Sequence, residues 1–508
     1  MSVSVPASHS PAPIIEPRPP LDAALAPPAD NHAVRSGKLG LAALGVYGSG
    51  ALIENITTTV LGALLLYYLT IVCGLSGAAA GIALGLTLVV DSVIDPVVGS
   101  LSDNSRSRHG RRHPFMLASV IPLLVTFGLL FSVPRGLGGW ALFGYALVVL
   151  FSLRVAISLF YVPYMALGAE LTDDYAERST VVAGRVLFTV VGGITATVLM
   201  WGVFLPGKAR DHAAAYPPLA WTFAGILAAC ALLSTLGTLR ARNRLHAAPA
   251  GRSFGLGQLL GEVVEVLRNR SFLSLFFPCL ILFTALGAAG ALTLHANAFF
   301  WKLNSGQMEL LGVLLPVGAF GGIFLASGLA GVMEKRTAAM LGLVMLGLGQ
   351  AGPVTLRLSG LIPASSGIWA LCVAVIIAGF GASLSTIAFQ SMMADATDEH
   401  EHLFGARREG LYFAGITLSA KASSGLGAFV GGVTLDLIGF PHGGIGNAAA
   451  LAHIPATTIR NLGIAYGPGA AIFTAVAIAV LLTYKLSRAD VARIQADLVS
   501  RRAAKTAD

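Results

Sequence analysis

The chain has 508 residues, of which 55% are hydrophobic and only 11% are charged, with a net charge of +8. Soluble domains carry about 25% charged residues, so this composition excludes a soluble globular protein. Apolar stretches long enough to cross a hydrocarbon core of about 30 Å as helices recur along the sequence. The composition therefore predicts an all-α polytopic membrane protein.

The first 37 residues are rich in Pro and Ala and contain no apolar core. They are predicted to form a disordered cytoplasmic tail and not a signal peptide. After this tail, hydropathy predicts twelve spans. Their boundaries lie near 44–72, 78–102, 114–134, 139–168, 180–205, 218–239, 271–300, 308–332, 338–358, 366–394, 409–438 and 464–486.

The longest hydrophilic interruption between spans divides them into six and six. It covers residues 241–270 and is predicted to be a cytoplasmic middle loop, part of which forms an amphipathic helix. The halves on either side, 38–240 and 271–486, are predicted to be two six-helix bundles. Residues 487–508 form a basic C-terminal tail with a similar amphipathic pattern.

The basic residues are distributed unevenly between the two predicted sides of the membrane. With the N terminus in the cytoplasm, the tails and the loops after even-numbered spans hold most of the 33 Lys and Arg residues. The positive-inside rule then places both termini in the cytoplasm of a multi-pass protein in the cytoplasmic membrane. The basic excess thus reports topology and not a nucleic-acid partner. The predicted partners are a small-molecule substrate and the bilayer, and the chain is expected to function as a monomer.

Two carboxylates lie in the otherwise apolar second span. Asp91 and Asp95 are four residues apart, which places them on one helix face. An ionisable residue at the bilayer centre costs about 2.5–3.5 kcal/mol on insertion scales, so such a pair needs a partner or a function. The pair is predicted to bind a cation, either Na⁺ or H⁺, although pairing with a basic side chain for packing is the alternative. No cofactor and no other metal site is predicted.

A polar run in span 1, "LIENITTTV", contains Glu54 and Asn55. Such a dense run indicates the lining of a water-filled cavity more than a single interhelical hydrogen bond. In span 4, Tyr161 and Tyr164 could stack on a sugar ring or simply pack in the core.

Three basic residues lie within spans, where they can pair with the acids or bind substrate. Lys421 in span 11 is flanked by small residues, Arg154 lies near the middle of span 4, and Arg185 lies near the inner end of span 5. Each is a candidate for a transport role, with a structural ion pair, or snorkelling of Arg185, as the alternative.

The two halves repeat a short motif after their fourth spans. Glu170 and Asp173 enclose "LT", and Asp395 and Asp398 enclose "AT". Two related six-helix halves are typical of a transporter with a central site between them. The acidic and His-rich residues 398–402 are predicted to be a solvated loop and not a metal site.

Three segments carry a resemblance to a known family: "DSVIDPVVGSLSDNSRSRHGRRHPF", "VPYMALGAELTDDYAERS" and the sequence around Lys421. They resemble the glycoside–pentoside–hexuronide:cation symporters, the melibiose-permease branch of the major facilitator superfamily. The resemblance covers residues 40–486. It implies a secondary sugar:cation symporter that works by alternating access between two pseudo-symmetric bundles of six helices.

The resemblance also implies roles for individual residues. Asp91 and Asp95 match the acids that bind the coupling cation, Arg185 matches an arginine near the sugar, and Lys421 matches a span-11 lysine. The loop after span 2 corresponds to a motif that latches the inner gate. The gate and latch residues implied in this way and by the repeated motif are Gly99, Asp103, Arg111, Arg112, Glu170, Asp173, Asp395, Asp398 and Arg407.

The chain departs from the melibiose permease at three positions. Asn55 and Tyr161 stand where that permease has aspartates, and Met165 stands where it has a tryptophan. These differences argue against a galactoside. A lysolipid or another hydrophobic solute is therefore an alternative substrate, and a non-transporting sensor or scaffold is a second alternative. The spans contain no nucleophile–base or zinc-ligand constellation, so an enzyme is not predicted.

Overall fold

A computed structural model describes residues 40–105, 107, 110–171, 175–207, 209–239, 266–329, 332–363, 367–405, 409–443 and 453–507. These parts of the chain are helical and contain no β-strand. Twelve long helices follow one another: α1 (Leu41–Val72), α2 (Gly77–Asn104), α3 (His113–Leu130), α4 (Gly139–Glu170), α5 (Tyr175–Val198), α6 (Tyr216–Leu239), α7 (Arg270–Phe300), α8 (Ser305–Leu329), α9 (Lys335–Leu358), α10 (Gly367–Phe404), α11 (Glu409–Leu437) and α12 (Ala456–Leu481). A last helix, α13, comprises Arg488–Ala507.

The helices confirm the predicted all-α polytopic architecture. Within the described parts, ten helices are long and apolar enough to cross a membrane. The two long helices outside that group are α2 and α11, with 28 and 29 residues. These are the helices that carry Asp91, Asp95 and Lys421. The predicted tail at 1–37 and residues 241–265 of the middle loop lie outside the described residues.

The helices pack in the arrangement of the major facilitator fold. In the first bundle, α2 packs on α4, α3 on α6, and α1 on α5. In the second bundle, α7 packs on α11, α8 on α10, and α9 on α10 and α12. The pairs α2–α11, α5–α8 and α1–α7 join the bundles. The site described below lies along these joining helices.

The two ends of the twelve-helix assembly carry different loops. The terminal end carries residues 110–112, residues 332–334 and α13. The opposite end carries residues 73–76, 209–215, 301–304 and 438–443. At the opposite end, Asp436 of α11 accepts hydrogen bonds from the backbone amides of Gly77 and Ala78, at 2.9 Å and 2.7 Å. Arg210 donates to the Leu303 carbonyl at 3.0 Å. The two bundles are therefore in contact at this end.

The first helices of the two bundles end in the same way. Both α1 and α7 finish in a π-helical turn, at Tyr68–Val72 and Ala296–Phe300. In each, the amide that follows the turn donates to a carbonyl five residues back, at 2.9 Å and 2.8 Å. One residue later the backbone turns into the left-handed region, with φ 83° at Gly74 and φ 55° at Lys302. This shared geometry supports the pseudo-symmetry more directly than the short sequence motif does.

The prediction of a solvated loop at residues 398–402 is wrong, because α10 continues to Phe404. The reason is tertiary packing, since α13 lies against this last part of α10. Gln495 donates to Asp398 at 3.0 Å, and His402 Nδ1 lies 2.9 Å from an Asp497 oxygen. The amphipathic C-terminal segment is thus a helix docked on the second bundle.

Helices α2 and α11 approach each other through glycines. A Cβ atom on Gly432 would overlap the carbonyl of Gly77, and a Cβ atom on Gly77 would overlap the carbonyl of Gly432. Small residues allow such close helix packing in lipid.

Gly432→Ala is therefore expected to lower the free energy of unfolding by about 1–3 kcal/mol through overpacking. Gly290→Ala is the control, because a Cβ atom there meets nothing within 4 Å. Thermal unfolding of the purified variants measures both effects. Equal stability of the two variants would contradict the close approach of α2 and α11.

Candidate functional site

The two carboxylates of α2 each contact a side chain of α4. An oxygen of Asp91 lies 3.2 Å from Nη1 of Arg154, and an oxygen of Asp95 accepts a hydrogen bond from Ser158 at 2.6 Å. Arg154 and Ser158 are four residues apart, as are the two acids, so the contacts repeat one helical turn along the α2–α4 interface. Both carboxylates on the predicted face of α2 are thus bonded to side chains of α4.

Asp95 also connects the two bundles. Lys421 of α11 donates a hydrogen bond to the second oxygen of Asp95. The side chains of Lys421 and Asp95 are 34% and 24% exposed, so solvent in the space between the bundles reaches the pair. A single carboxylate therefore contacts α4 in its own bundle and α11 in the other.

The side chain of Asp91 is more buried than that of Asp95, and one of its oxygens lacks a hydrogen-bond partner among the described residues. Its side chain is 8% exposed, against 19% for Arg154. Among the described residues, Asp91 Oδ1 and Arg154 Nε are buried without a hydrogen-bond partner. Leaving a buried polar atom unpaired costs about 1–3 kcal/mol, and more for a charged group. The free oxygen is an acceptor open to a proton, a cation or water.

Glu54 of α1 adds a third carboxylate to this cluster. It is half-buried, and the charges of Arg154, Lys421, Asp91 and Asp95 all act on it. Within the described residues, Glu54 forms no salt bridge, whereas each aspartate has a basic partner. The cluster thus combines three acids with two bases.

The other predicted substrate residues lie on α1, α4 and α5. Nη1 of Arg185 donates to the sulfur of Met165 at 3.0 Å. Tyr161 and Asn55 are half-buried. Asn55 accepts a hydrogen bond from the next-turn hydroxyl of Thr59 at 3.3 Å, and it packs where α5 has a glycine. Arg185, Met165 and Tyr161 are therefore available around one side of the cluster, which suits recognition of a polar solute.

Tyr164 occupies a different environment from Tyr161. Its side chain is fully buried. Its ring stacks on Tyr47 and Phe160, with centroid distances of 4.7 Å and 5.5 Å. In this structure the ring packs in the core of the first bundle, which is the alternative that the sequence left open.

Ser158 was missed by the sequence analysis, although a signal for it exists. Arg154, Ser158, Tyr161 and Met165 follow one another at spacings of three or four residues, which places them on one face of α4. This polar stripe predicts that Ser158 faces the same space as its neighbours. A serine in a membrane span is otherwise a weak signal, because its hydroxyl can bond to its own helix.

Part of the predicted latch lies at the end of α2 and just before α3. Asp103 forms a salt bridge with Arg112 at 3.2 Å, and Arg112 is buried. A Cβ atom added to Gly99 would lie 3.6 Å from the side chain of Val162 of α4. The Asp103–Arg112 pair therefore ties the end of α2 to the start of α3.

A second ion pair among the predicted gate residues lies in the second bundle. Asp395 of α10 accepts from Lys335 of α9 at 2.7 Å and 2.8 Å. Asp398 contacts Gln495 instead. Asp173, Arg407 and the side chain of Glu170 lie outside the described residues. The assignment of all these residues to a gate stays a prediction.

No group of three or more His, Cys, Asp or Glu side chains among the described residues is arranged to hold a metal ion. Glu54, Asp91 and Asp95 thus do not form such a group.

Comparisons with known proteins agree with this architecture. The model of a family described as MFS/sugar transport protein matches residues 46–488. An uncharacterized symporter of Synechocystis sp. is 26% identical over 466 residues, which cover 78% of this chain and 85% of the relative. The glucuronide carrier protein homolog of Escherichia coli is 24% identical over 401 residues, or 78% and 83% of the two chains. A solved bacterial homologue of the human lysosomal transporter Spinster has a TM-score of 0.60 at 14% identity and covers 88% of this chain and 98% of its own; it shows the fold alone.

The contact between Asp91 and Arg154 predicts strongly non-additive stabilities. Breaking a buried ion pair by removing one partner costs about 3–5 kcal/mol, because the remaining charge stays buried. Asp91→Asn and Arg154→Gln should each destabilise the protein more than the double variant does. A double-mutant cycle measured by thermal unfolding checks this. Additive effects would mean that the two side chains are not paired.

Proposed function

We propose that this chain, which belongs to the MFS/sugar transport protein family and is a member of the glycoside–pentoside–hexuronide:cation symporter group, is a cation-coupled symporter of a sugar or glycoside. The family and its relatives are transporters, and none of the site geometry requires bond-breaking chemistry. The coupling ion is Na⁺ or H⁺, bound at Asp91 and Asp95. The observation that carries the proposal is the Asp95 side chain, which contacts α4 in one bundle and Lys421 in the other.

This contact suggests how ion binding is linked to the arrangement of the bundles. A cation at Asp95 competes with Lys421 for the same carboxylate, and releasing Lys421 removes a bond between the bundles. An ion that binds one arrangement more tightly shifts the population toward it. A solute that prefers the same arrangement then binds more tightly when the ion is present, and the effect must be reciprocal.

The solute is proposed to bind beside this ion site, near Arg185 and Tyr161. A guanidinium presents several donors at fixed angles, which suits hydroxyl or carboxylate groups of a sugar. Tyr161 supplies an aromatic face and a hydroxyl. Asn55, Glu54 and Met165 complete the surroundings, and Tyr164 supports Tyr161 from the core.

Alternating access requires that each end of the bundle closes in turn. The contacts at the opposite end, around Asp436 and Arg210, are proposed to form the closed gate in this structure. The residues named as a latch at the terminal end, such as Asp103 and Arg112, are proposed to take part when that end closes. We place the terminal end and both termini in the cytoplasm, in the cytoplasmic membrane.

Proteoliposomes containing the purified chain provide the test. Uptake of a panel of radiolabelled sugars, glycosides and hexuronides is measured with an imposed Na⁺ gradient, with a pH gradient, or with neither. We expect at least one solute to accumulate when a gradient is imposed. Lysophosphatidylcholine in the same panel tests the hydrophobic-solute alternative, and failure of every solute would favour the non-transporting alternative.

Asp95→Asn is expected to abolish gradient-driven accumulation, because the amide cannot carry the charge that binds the cation. Lys421→Ala is expected to reduce accumulation by about tenfold, within the usual range for a coupling free energy. Glu309→Gln is the control, since this half-buried acid of α8 lies apart from the cluster. Accumulation by Asp91→Asn/Asp95→Asn at the wild-type level would show that the coupling assignment is wrong.

A further inference from the structure

Two segments at the opposite end each extend from one bundle to the other. The first strap follows the π-helical end of α5 and comprises residues 205–207 and 209–215. The second strap comprises residues 436–443, which begin in the last turn of α11. Each strap thus follows the fifth helix of its own bundle.

Both straps are anchored in the bundle from which they come. In the first strap, Asp211 accepts a hydrogen bond from the hydroxyl of Tyr67 in α1 at 2.7 Å. In the second strap, the ring of Phe440 packs against Phe299 of α7, with a centroid distance of 5.1 Å. Because each strap is held by its own bundle, a movement of one bundle away from the other must break the contacts that the strap makes across the interface.

The first strap contacts the turn between α7 and α8. Arg210 donates to the Leu303 carbonyl at 3.0 Å. The hydroxyl of Ser305 donates to the Leu205 carbonyl at 2.7 Å. One hydrogen bond is therefore donated in each direction between this strap and the second bundle.

The second strap contacts the turn between α1 and α2. The amide of Gly443 donates to the Thr70 carbonyl at 3.0 Å. Asp436 accepts from the backbone amides of Gly77 and Ala78 at 2.9 Å and 2.7 Å. The relation between the bundles is thus reciprocal, since each strap bonds to the turn that follows the first helix of the other bundle.

The residues that receive the straps occupy equivalent positions. Gly77 is the first residue of α2 and Ser305 is the first residue of α8, and each lies five residues after the end of a π-helical turn. The same point of the repeated geometry therefore holds the strap of the opposite bundle in both halves of the chain.

We propose that the two straps form a reciprocal lock, which holds the bundles together at the opposite end and must release at both straps before that end opens. This inference rests on the alternating access of the proposed function. It assigns the control of one opening step to residues outside the solute and ion sites.

The carboxylate of Asp436 contributes most to this lock. It accepts from two backbone amides, and hydrogen bonds to a charged group are about twice as strong as neutral ones. These amides belong to the first turn of α2, where the helix dipole favours a negative charge. Arg210 bonds to one carbonyl and, at 3.4 Å, to the sulfur of Met308, which is a weak acceptor.

The lock acts on the same two helices as the contact between Asp95 and Lys421. Asp436 and Lys421 both belong to α11, and both bond to α2. Opening of the opposite end separates α2 from α11 at Asp436, so the strap and the ion site respond to one movement. A change at Asp436 therefore shifts the population of the open arrangement without altering a side chain around the solute.

The test measures a distance between the bundles in the purified full chain, by double electron–electron resonance. Arg135→Cys in the turn after α3 and Ser359→Cys in the turn after α9 carry the spin labels, and both positions are exposed. The four native cysteines are replaced by alanine. The labelled parent chain is expected to show mainly the short distance.

Asp436→Ala is expected to raise the ratio of the long to the short distance by about tenfold, which corresponds to about 1.4 kcal/mol. Asp436→Glu, which keeps the carboxylate, should remain closer to the parent chain. Arg210→Gln should raise the ratio by a smaller factor. The double variant should multiply the two changes, because both straps hold the same closed arrangement.

Each variant has a matched control within the second bundle. Asp490 also accepts from a backbone amide, that of Ser487 at 3.2 Å, and Arg336 also donates to a carbonyl at 3.0 Å, that of Tyr484. Asp490→Ala and Arg336→Gln should leave the distance distribution unchanged. A shift in these controls as large as in the strap variants would overturn the proposal.

An unchanged distribution in folded Asp436→Ala or in folded Arg210→Gln would also overturn the reciprocal lock. If Asp436→Ala fails to fold, Arg210→Gln decides by the same measurement. The experiment needs neither a solute nor an ion gradient. Failure of every solute in the uptake panel would therefore count against the symport proposal, while a shift in the distances would still support the lock.

Discussion

The contact of Asp95 with Lys421 is the interaction on which the site depends. The two residues belong to different bundles and to helices far apart in the chain, yet each charge would be costly in lipid without the other. The pair therefore stabilises the approach of α2 and α11. It is also a contact that can break when another cation replaces Lys421 at Asp95. A polar contact between bundles can have two states, whereas a packed apolar interface of the same size would favour one.

The glycine-lined approach of α2 and α11 positions this contact. Gly77, Gly81 and Gly85 of α2 all lie against the backbone of α11, so the two helices stay close from the opposite end toward the site. The carboxylate of Asp436 adds a bond to the first amides of α2, where the helix dipole favours a negative charge. Packing along this interface thus keeps Asp95 and Lys421 within reach of each other.

The α2–α4 interface gives the cluster its chemical character. Asp91 contacts the guanidinium of Arg154, and one turn along Asp95 contacts the hydroxyl of Ser158. The environments of the two acids therefore differ. Asp91 is buried and lies beside the permanent positive charge of Arg154. The position of Asp95 is more exposed and shares its carboxylate with the other bundle.

The sequence by itself determined the membrane class, the helical spans and the common face of Asp91 and Asp95, because these follow from local hydropathy and the period of 3.6 residues. It could not determine that Arg154 contacts Asp91, that Tyr164 is buried, or that α10 extends to Phe404. Those features depend on which faces of distant helices meet, and the contacts of Asp91 and Asp95 span 63 and 326 residues of chain. Only the tertiary structure supplies that information, since local patterns show which face is polar but not what lies opposite it.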